Sequence, residues 1–159
     1  MGNRNQKFGS SSTAEQVAEG TDFTGKVVII TGANAGIGKE TARALALHGG
    51  TIILACRVFF VIVVPKKKMQ RKIKRDSKRG QDAKDEIIKS VSSSTPSSDE
   101  KKDNSSNVSE RIELMELDLG SLQSVRDFAQ QFVKKHNQLH YLVNNAGKKN
   151  FLKKKKSEF

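Results

Sequence analysis

The sequence predicts an α/β fold, a doubly wound parallel sheet truncated after its fourth strand. Three observations predict it. Lys26 to Cys56 runs through a β-branched apolar segment, a glycine-rich turn, an amphipathic segment and a second apolar segment. That is the order of a βαβ unit. Two more strand-like segments follow, the alternating Arg111 to Leu117 and the stretch Leu139 to Val143, with a helical stripe from Ser121 to Lys135 between them. The first two strands are apolar at nearly every position, as strands covered on both faces are, rather than alternating.

In chain order, residues 1–20 form a polar N-terminal extension. Within it Ser12-Thr13-Ala14-Glu15 fits a capping box, which predicts a short helix through Ala18. Asp22 to Gly25 is a turn into the first strand, Lys26 to Thr31. The turn Gly32-Ala33-Asn34-Ala35-Gly36-Ile37-Gly38 follows, with glycines for backbone shapes closed to other residues and for close approach of a ligand. The next helix runs to His48 and stops at Gly49-Gly50, a C-terminal signal. Its expected apolar stripe is Ile37, Thr41, Ala44, Leu45 and Leu47-His48. Thr51 to Cys56 is the second strand.

After Arg57 the pattern breaks. Connections in such units take about 2–6 residues, yet Val58 to Arg75 intervenes before a helical stripe through Ala83, Ile87, Ile88 and Val91. The helix is expected to start at Asp76 or Ser77, which makes 58–75 an insertion. Ser92 to Ser109 is rich in Ser, Asn, Asp and Lys and reads as a solvated loop, a second insertion. Arg111 to Leu117 is the third strand, ending at Asp118. Ser121 caps the last helix, with Leu122, Val125, Phe128, Ala129 and Phe132 as its buried stripe. Leu139 to Val143 is the fourth strand, with Tyr141 as a core residue. The organisation is thus 1–20, a partial domain over 21–147, and a basic tail over 148–159.

Net charge is +12, but it is not spread evenly. Residues 58–75 hold seven basic residues and no acid, and 148–159 hold six lysines and one acid. The remaining residues carry 16 of each sign, so two short segments cause the whole imbalance. Nucleic acid is therefore not an expected partner of the domain. The single Cys56 rules out an internal disulfide framework and a cysteine-rich metal site, and the three histidines have no metal-ligand spacing. The apolar run Val58 to Val64 falls well short of the ~20 residues of a membrane helix. With a polar N-terminus, this predicts a cytoplasmic location.

The glycine turn placed between a strand and a helix predicts a phosphate site. Gly32, Gly36 and Gly38 allow the backbone to approach a pyrophosphate, and N–H groups from Asn34, Ala35, Gly36 and Ile37 point at it with the helix dipole behind them. Arg57, at the end of the second strand, has no carboxylate beside it. A guanidinium pairs bidentately with a phosphate, so NADP is expected over NAD.

The spacing Thr31-Gly32-x-x-x-Gly36-x-Gly38, together with Asn144-Asn145-Ala146-Gly147, resembles the short-chain dehydrogenase/reductase family. Ala55-Cys56-Arg57 and Asp22-Phe23-Thr24-Gly25-Lys26 resemble most its retinol dehydrogenase branch. The resemblance covers an N-terminal half and implies a Rossmann-type domain that binds a nicotinamide dinucleotide. It further implies that Asp118 contacts the adenine, that Leu119 packs on it, and that Asn145, Ala146 and Gly147 line the ribose side. Asp118 could instead cap the following helix, and Asn144 and Asn145 could tie neighbouring strands together. The family acts on an alcohol or carbonyl, here a retinoid or lipid-like one by resemblance. Its catalysis needs a Ser and a Tyr-x-x-x-Lys pair. Tyr141 is the one tyrosine and Asn145 stands four residues on, so no catalytic residue is assigned. A non-catalytic dinucleotide-binding or interaction module is the alternative.

Two accounts of the anomalous segments stand side by side. In one they are translated introns: a valine codon at Val58 opens with GT, Arg75 can close with AG, and Gly147-Lys148 can be written with a GTAAG donor. Sequencing the spliced message tests this. In the other, 58–75 is real and forms a membrane-surface anchor or a nuclear-import-like basic patch.

Overall fold

The computed structural model describes residues 8–57, 67–93 and 108–147, with the backbone alone for 67–77. The first part of the 58–75 insertion, most of the 92–109 loop and the 148–159 tail lie outside the described residues.

The elements follow in the order α1 (Ala14–Ala18), β1 (Val27–Thr31), α2 (Gly36–Leu47), β2 (Thr51–Cys56), α3 (Lys67–Ser93), α4 (Val108–Arg111), β3 (Ile112–Glu116), α5 (Leu122–Lys135) and β4 (Tyr141–Val143). The strands form one parallel sheet in the order β3-β2-β1-β4. This is the doubly wound α/β sheet expected, as far as its fourth strand.

Cores lie on both faces. On one, Ala42 and Ala46 of α2 and Ile87 and Val91 of α3 pack with Val28, Ile30, Ile52, Leu54 and Ile112. On the other, Phe128 and Phe132 of α5 pack with Ile29, Ile53, Ala55 and Met115. Alternate residues of β1 and β2 thus serve opposite cores, which is why both strands read as continuous apolar runs.

Several local expectations are corrected. The capping box is Thr13 with Gln16, one residue later than the Ser12–Glu15 pairing. The Ile37 side chain is 80% exposed. The helix instead buries small residues on two sides, Ala42 and Ala46 toward the sheet and Ala44 in the groove beneath α1. The α3 helix begins at Lys67 rather than Asp76, so the last part of the insertion continues the helix instead of preceding it. Arg111 belongs to α4, where its guanidinium donates to the carbonyls of Ala46 and Gly50 (each 3.4 Å), at the carboxyl end of α2. On α5, Leu122 and Ala129 are exposed, because only Val125, Phe128 and Phe132 face the sheet. Tyr141 is half-exposed rather than core; it lies on an outer strand, with its ring edge-on to that of Phe23 at a centroid distance of 5.8 Å.

Among the described residues no helix is long and apolar enough to cross a membrane, and no cluster of potential ligands could hold a metal ion. Cys56 is buried and outside any disulfide, as a small core residue should be.

Candidate functional site

A cleft of about 610 Å³ opens at the carboxyl ends of all four strands. Parallel topology puts it there, because each strand delivers its C-terminal residue and the following turn to the same edge of the sheet. Its walls are Thr31, Gly32 and Asn34 after β1; Ala55, Cys56 and Arg57 at the end of β2; Leu117, Asp118, Leu119 and Gly120 after β3; and Asn145, Ala146 and Gly147 after β4.

The turn between β1 and α2 is shaped by glycine. Gly32 (φ 67°) and Gly36 (φ 58°) occupy the left-handed region, where a side chain adds strain. Ala35 stands at the N-cap of α2 in extended conformation, and its side chain caps nothing. The first-turn N–H groups of Gly36, Ile37 and Gly38 therefore have no side-chain acceptor at the helix start, where the dipole is positive.

Gly38 has a different reason. A Cβ there would stand well inside contact distance of Asn145 Nδ2 and 3.0 Å from the Gly32 carbonyl oxygen. Asn145 Nδ2 donates to the Thr31 carbonyl (2.9 Å) and lies 3.4 Å from that of Gly32. The Thr31 hydroxyl accepts from the Ala146 N–H (2.9 Å) and donates to the Val143 carbonyl (3.4 Å). So the glycine turn and the Asn144–Gly147 segment interlock, and Asn145 does tie β1 to β4.

On the opposite wall, the Asp118 carboxylate accepts from the Gly120 N–H (2.9 Å), closing a tight turn, while its own N–H donates to the Ser124 hydroxyl (2.9 Å). Ser121, not Asp118, caps α5. Burial, and then the charge of Asp118, raise the Glu116 carboxyl above the ordinary glutamate value. Arg57 is exposed at the lip of the cleft.

Of the residues singled out from sequence, Gly32, Asn34, Arg57, Asp118, Leu119, Asn145, Ala146 and Gly147 come together in the cleft. Ala35, Gly36, Ile37 and Gly38 do not line it; they form the N-cap and first turn of the adjoining helix. Thr31, Ala55, Cys56, Leu117 and Gly120 were missed as lining residues. The signal was available, since in a parallel sheet the last residue of every strand belongs to the same rim.

The arrangement suits an elongated anionic ligand: a glycine turn and uncapped helix start at one part, a cation at the lip, and a cleft within the ~300–1,000 Å³ of small-molecule sites. The described residues include no Tyr-x-x-x-Lys pair to move a proton.

No protein-family model matches the chain. It is similar to the WW domain-containing oxidoreductase of Gallus gallus, 39% identical over 141 residues that make up 89% of this chain and 26% of that protein. It is also similar to retinol dehydrogenase 12 of Bos taurus, 37% identical over 123 residues, 77% of this chain and 28% of that one. The chain thus spans about a quarter of the length of these curated relatives. Among solved structures, menthone neomenthol reductase from Mentha piperita superposes with a TM-score of 0.55 at 29% identity, over 77% of this chain and 32% of that one. A metagenomic short-chain oxidoreductase in complex with NADP shares the fold, with a TM-score of 0.52 at 24% identity over 79% of this chain and 41% of that one.

Proposed function

We propose, from the premise that this chain is related to the N-terminal half of the short-chain dehydrogenase/reductase fold, that its cleft binds a nicotinamide dinucleotide, NADP in preference to NAD. The observation that carries the reading is the convergence on one cleft of a left-handed glycine turn, the Asn145–Gly147 segment and Arg57. The uncapped first turn of α2 beside it receives the pyrophosphate, on the N–H groups of Gly36 and Ile37. Arg57 takes the 2′-phosphate, which a guanidinium binds better than it binds a neutral hydroxyl. Asp118 and Leu119 hold the adenine, and Ala146 and Gly147 the ribose side. When bound, the nicotinamide supplies the hydride chemistry. The residues of this chain bind and orient it.

The parent activity is NAD(P)-dependent oxidation or reduction of an alcohol or carbonyl. The retinol dehydrogenase among the relatives supports a lipid-like substrate. With no tyrosine–lysine pair beside the cleft, the chain by itself is a binding module and does not turn over.

Titrating the purified chain with NADPH and NADH by fluorescence, followed by an alcohol-oxidation assay, tests both parts. NADPH should bind and no oxidation should follow. Arg57→Ala should weaken NADPH about tenfold, or ~1.4 kcal/mol, and leave NADH unchanged. Failure of both nucleotides to bind overturns the binding reading, and turnover overturns the assignment of no catalytic residue.

A further inference from the structure

The strongest unexplained feature is the first part of α3. From Gly80 onward the helix packs on the sheet. Gly80 lies against Cys56 Sγ and Leu114, and Ala83, Ile87 and Val91 are buried. Gly80 is therefore level with the last residue of β2. Val91 shares a core cluster with Val108, which precedes β3. The helix runs antiparallel to the strands, so everything before Gly80 continues past their carboxyl ends, the edge that carries the cleft. Lys67 to Arg79 is about 20 Å of helix at ~1.5 Å per residue.

That projecting segment contains Lys67, Lys68, Arg71, Lys72, Lys74, Arg75, Lys78 and Arg79 against the single acid Asp76. Its first turn has no acidic residue, so cations stand where the helix dipole is already positive. An anionic partner would relieve both. With eight basic residues and one acid, the segment carries +7 of the net +12, so much of the imbalance stands at one end of the molecule. Such a field steers that end toward an anionic surface.

We propose that this end docks on an anionic lipid surface, with the projecting part of α3 as the electrostatic contact. Lipid is favoured over nucleic acid on two grounds. No aromatic residue is interleaved among the cations of 66–79, whereas single-stranded nucleic acid binders place rings there for stacking. The apolar run Val58 to Val64 directly precedes them in sequence, and an apolar signal joined to a basic one is the pairing that holds proteins stably on membranes.

The test is co-sedimentation of the full chain with phosphatidylcholine vesicles and with mixed phosphatidylcholine–phosphatidylserine vesicles, at low and high salt, alongside titration with a single-stranded oligonucleotide. Binding to the mixed vesicles should be at least about tenfold stronger and should fall as salt rises. Replacing Lys67, Lys68, Arg71 and Lys72 together by Gln should abolish the difference. A second variant with Lys67, Lys68 and Lys72 changed to Arg should retain it, which separates loss of charge from loss of the helix. Equal binding to both vesicle types, binding to neither, or preferential binding of the oligonucleotide would each overturn the proposal.

Discussion

The centre of the sheet and its β4 edge are written in the same apolar alphabet and end up in different surroundings. β1 and β2 share five register pairs, Val27–Thr51 to Thr31–Ala55, and from Val28 and Ile52 onward each of their residues is buried. β4 pairs with β1 over three residues, Tyr141 to Val143, and both Tyr141 and Leu142 are about half exposed. Among the described residues, β4 has a neighbour on one side only. Residue type decides that a strand forms; what covers it decides whether that strand stabilises the fold.

Four measurements break or sharpen this contrast, from the largest expected effect to the smallest. Ile53→Ala, at a fully buried position in β2, should lower the unfolding free energy by about 2–5 kcal/mol, whereas Leu142→Ala should cost less than about 1 kcal/mol because the side chain is already half solvated. Equal losses in urea unfolding would erase the distinction between centre and edge.

Gly38→Ala comes second. Its methyl group collides with the Asn145 amide and the Gly32 carbonyl, so about 1–3 kcal/mol of stability should be lost, together with NADPH affinity. Part of that loss should disappear in an Asn145→Ala background, because the neighbour that Gly38 makes room for is gone. A double-mutant cycle with no coupling would disconnect the two segments.

The third concerns the start of β4. The Val27 N–H donates to His140 Nδ1 and the His140 N–H donates to the Val27 carbonyl, both at 3.0 Å. A side chain thus stands in for a backbone acceptor before the strand begins. His140→Ala should cost about 0.5–1.5 kcal/mol and speed hydrogen exchange at Val27 while leaving Ile53 protected.

The smallest effect is on pH dependence. Hydrogen bonds from Thr24 lower the Asp22 carboxyl below its ordinary 3.8, with Lys26 adding a weaker pull. A depressed acid stabilises the fold fully above its unfolded value, and the contribution is lost as pH falls through the lower folded value. Asp22→Asn should therefore narrow the stability difference between neutral pH and strongly acidic pH. An unchanged acid branch of the unfolding profile would remove Asp22 from the account.

Strand identity and the parallel arrangement were legible because β1 and β2 are dense apolar runs, and because β1, β3 and β4 end at Gly32, Asp118 and Asn144. Only part of the rim of the cleft was read from it: the turn residues were, and the strand ends Thr31, Ala55, Cys56 and Leu117 were not. Burial was less legible. Ile37 and Leu122 sit at helical spacing with buried residues, yet lie where the sheet offers them no surface. Tyr141 has strand neighbours and an aromatic side chain, but it stands on an outer strand. The start of α3 was hidden because Lys67 to Arg75 has neither a cap nor an apolar stripe; its helix is a continuation of the packed part. Gly38 was legible as a glycine that must be one, but its reason lies in Asn145, distant in sequence, which no local window contains.

That interlock has a consequence for synthesis on the ribosome. A nascent chain that has reached Arg57 already holds the glycine turn and both central strands. The Thr31 carbonyl and hydroxyl still await Asn145 and Ala146. Until those late residues emerge, the loop has its glycines and lacks the side chain that pins it, so the proposed ligand site is completed near the end of translation of this segment and not with the motif that announces it.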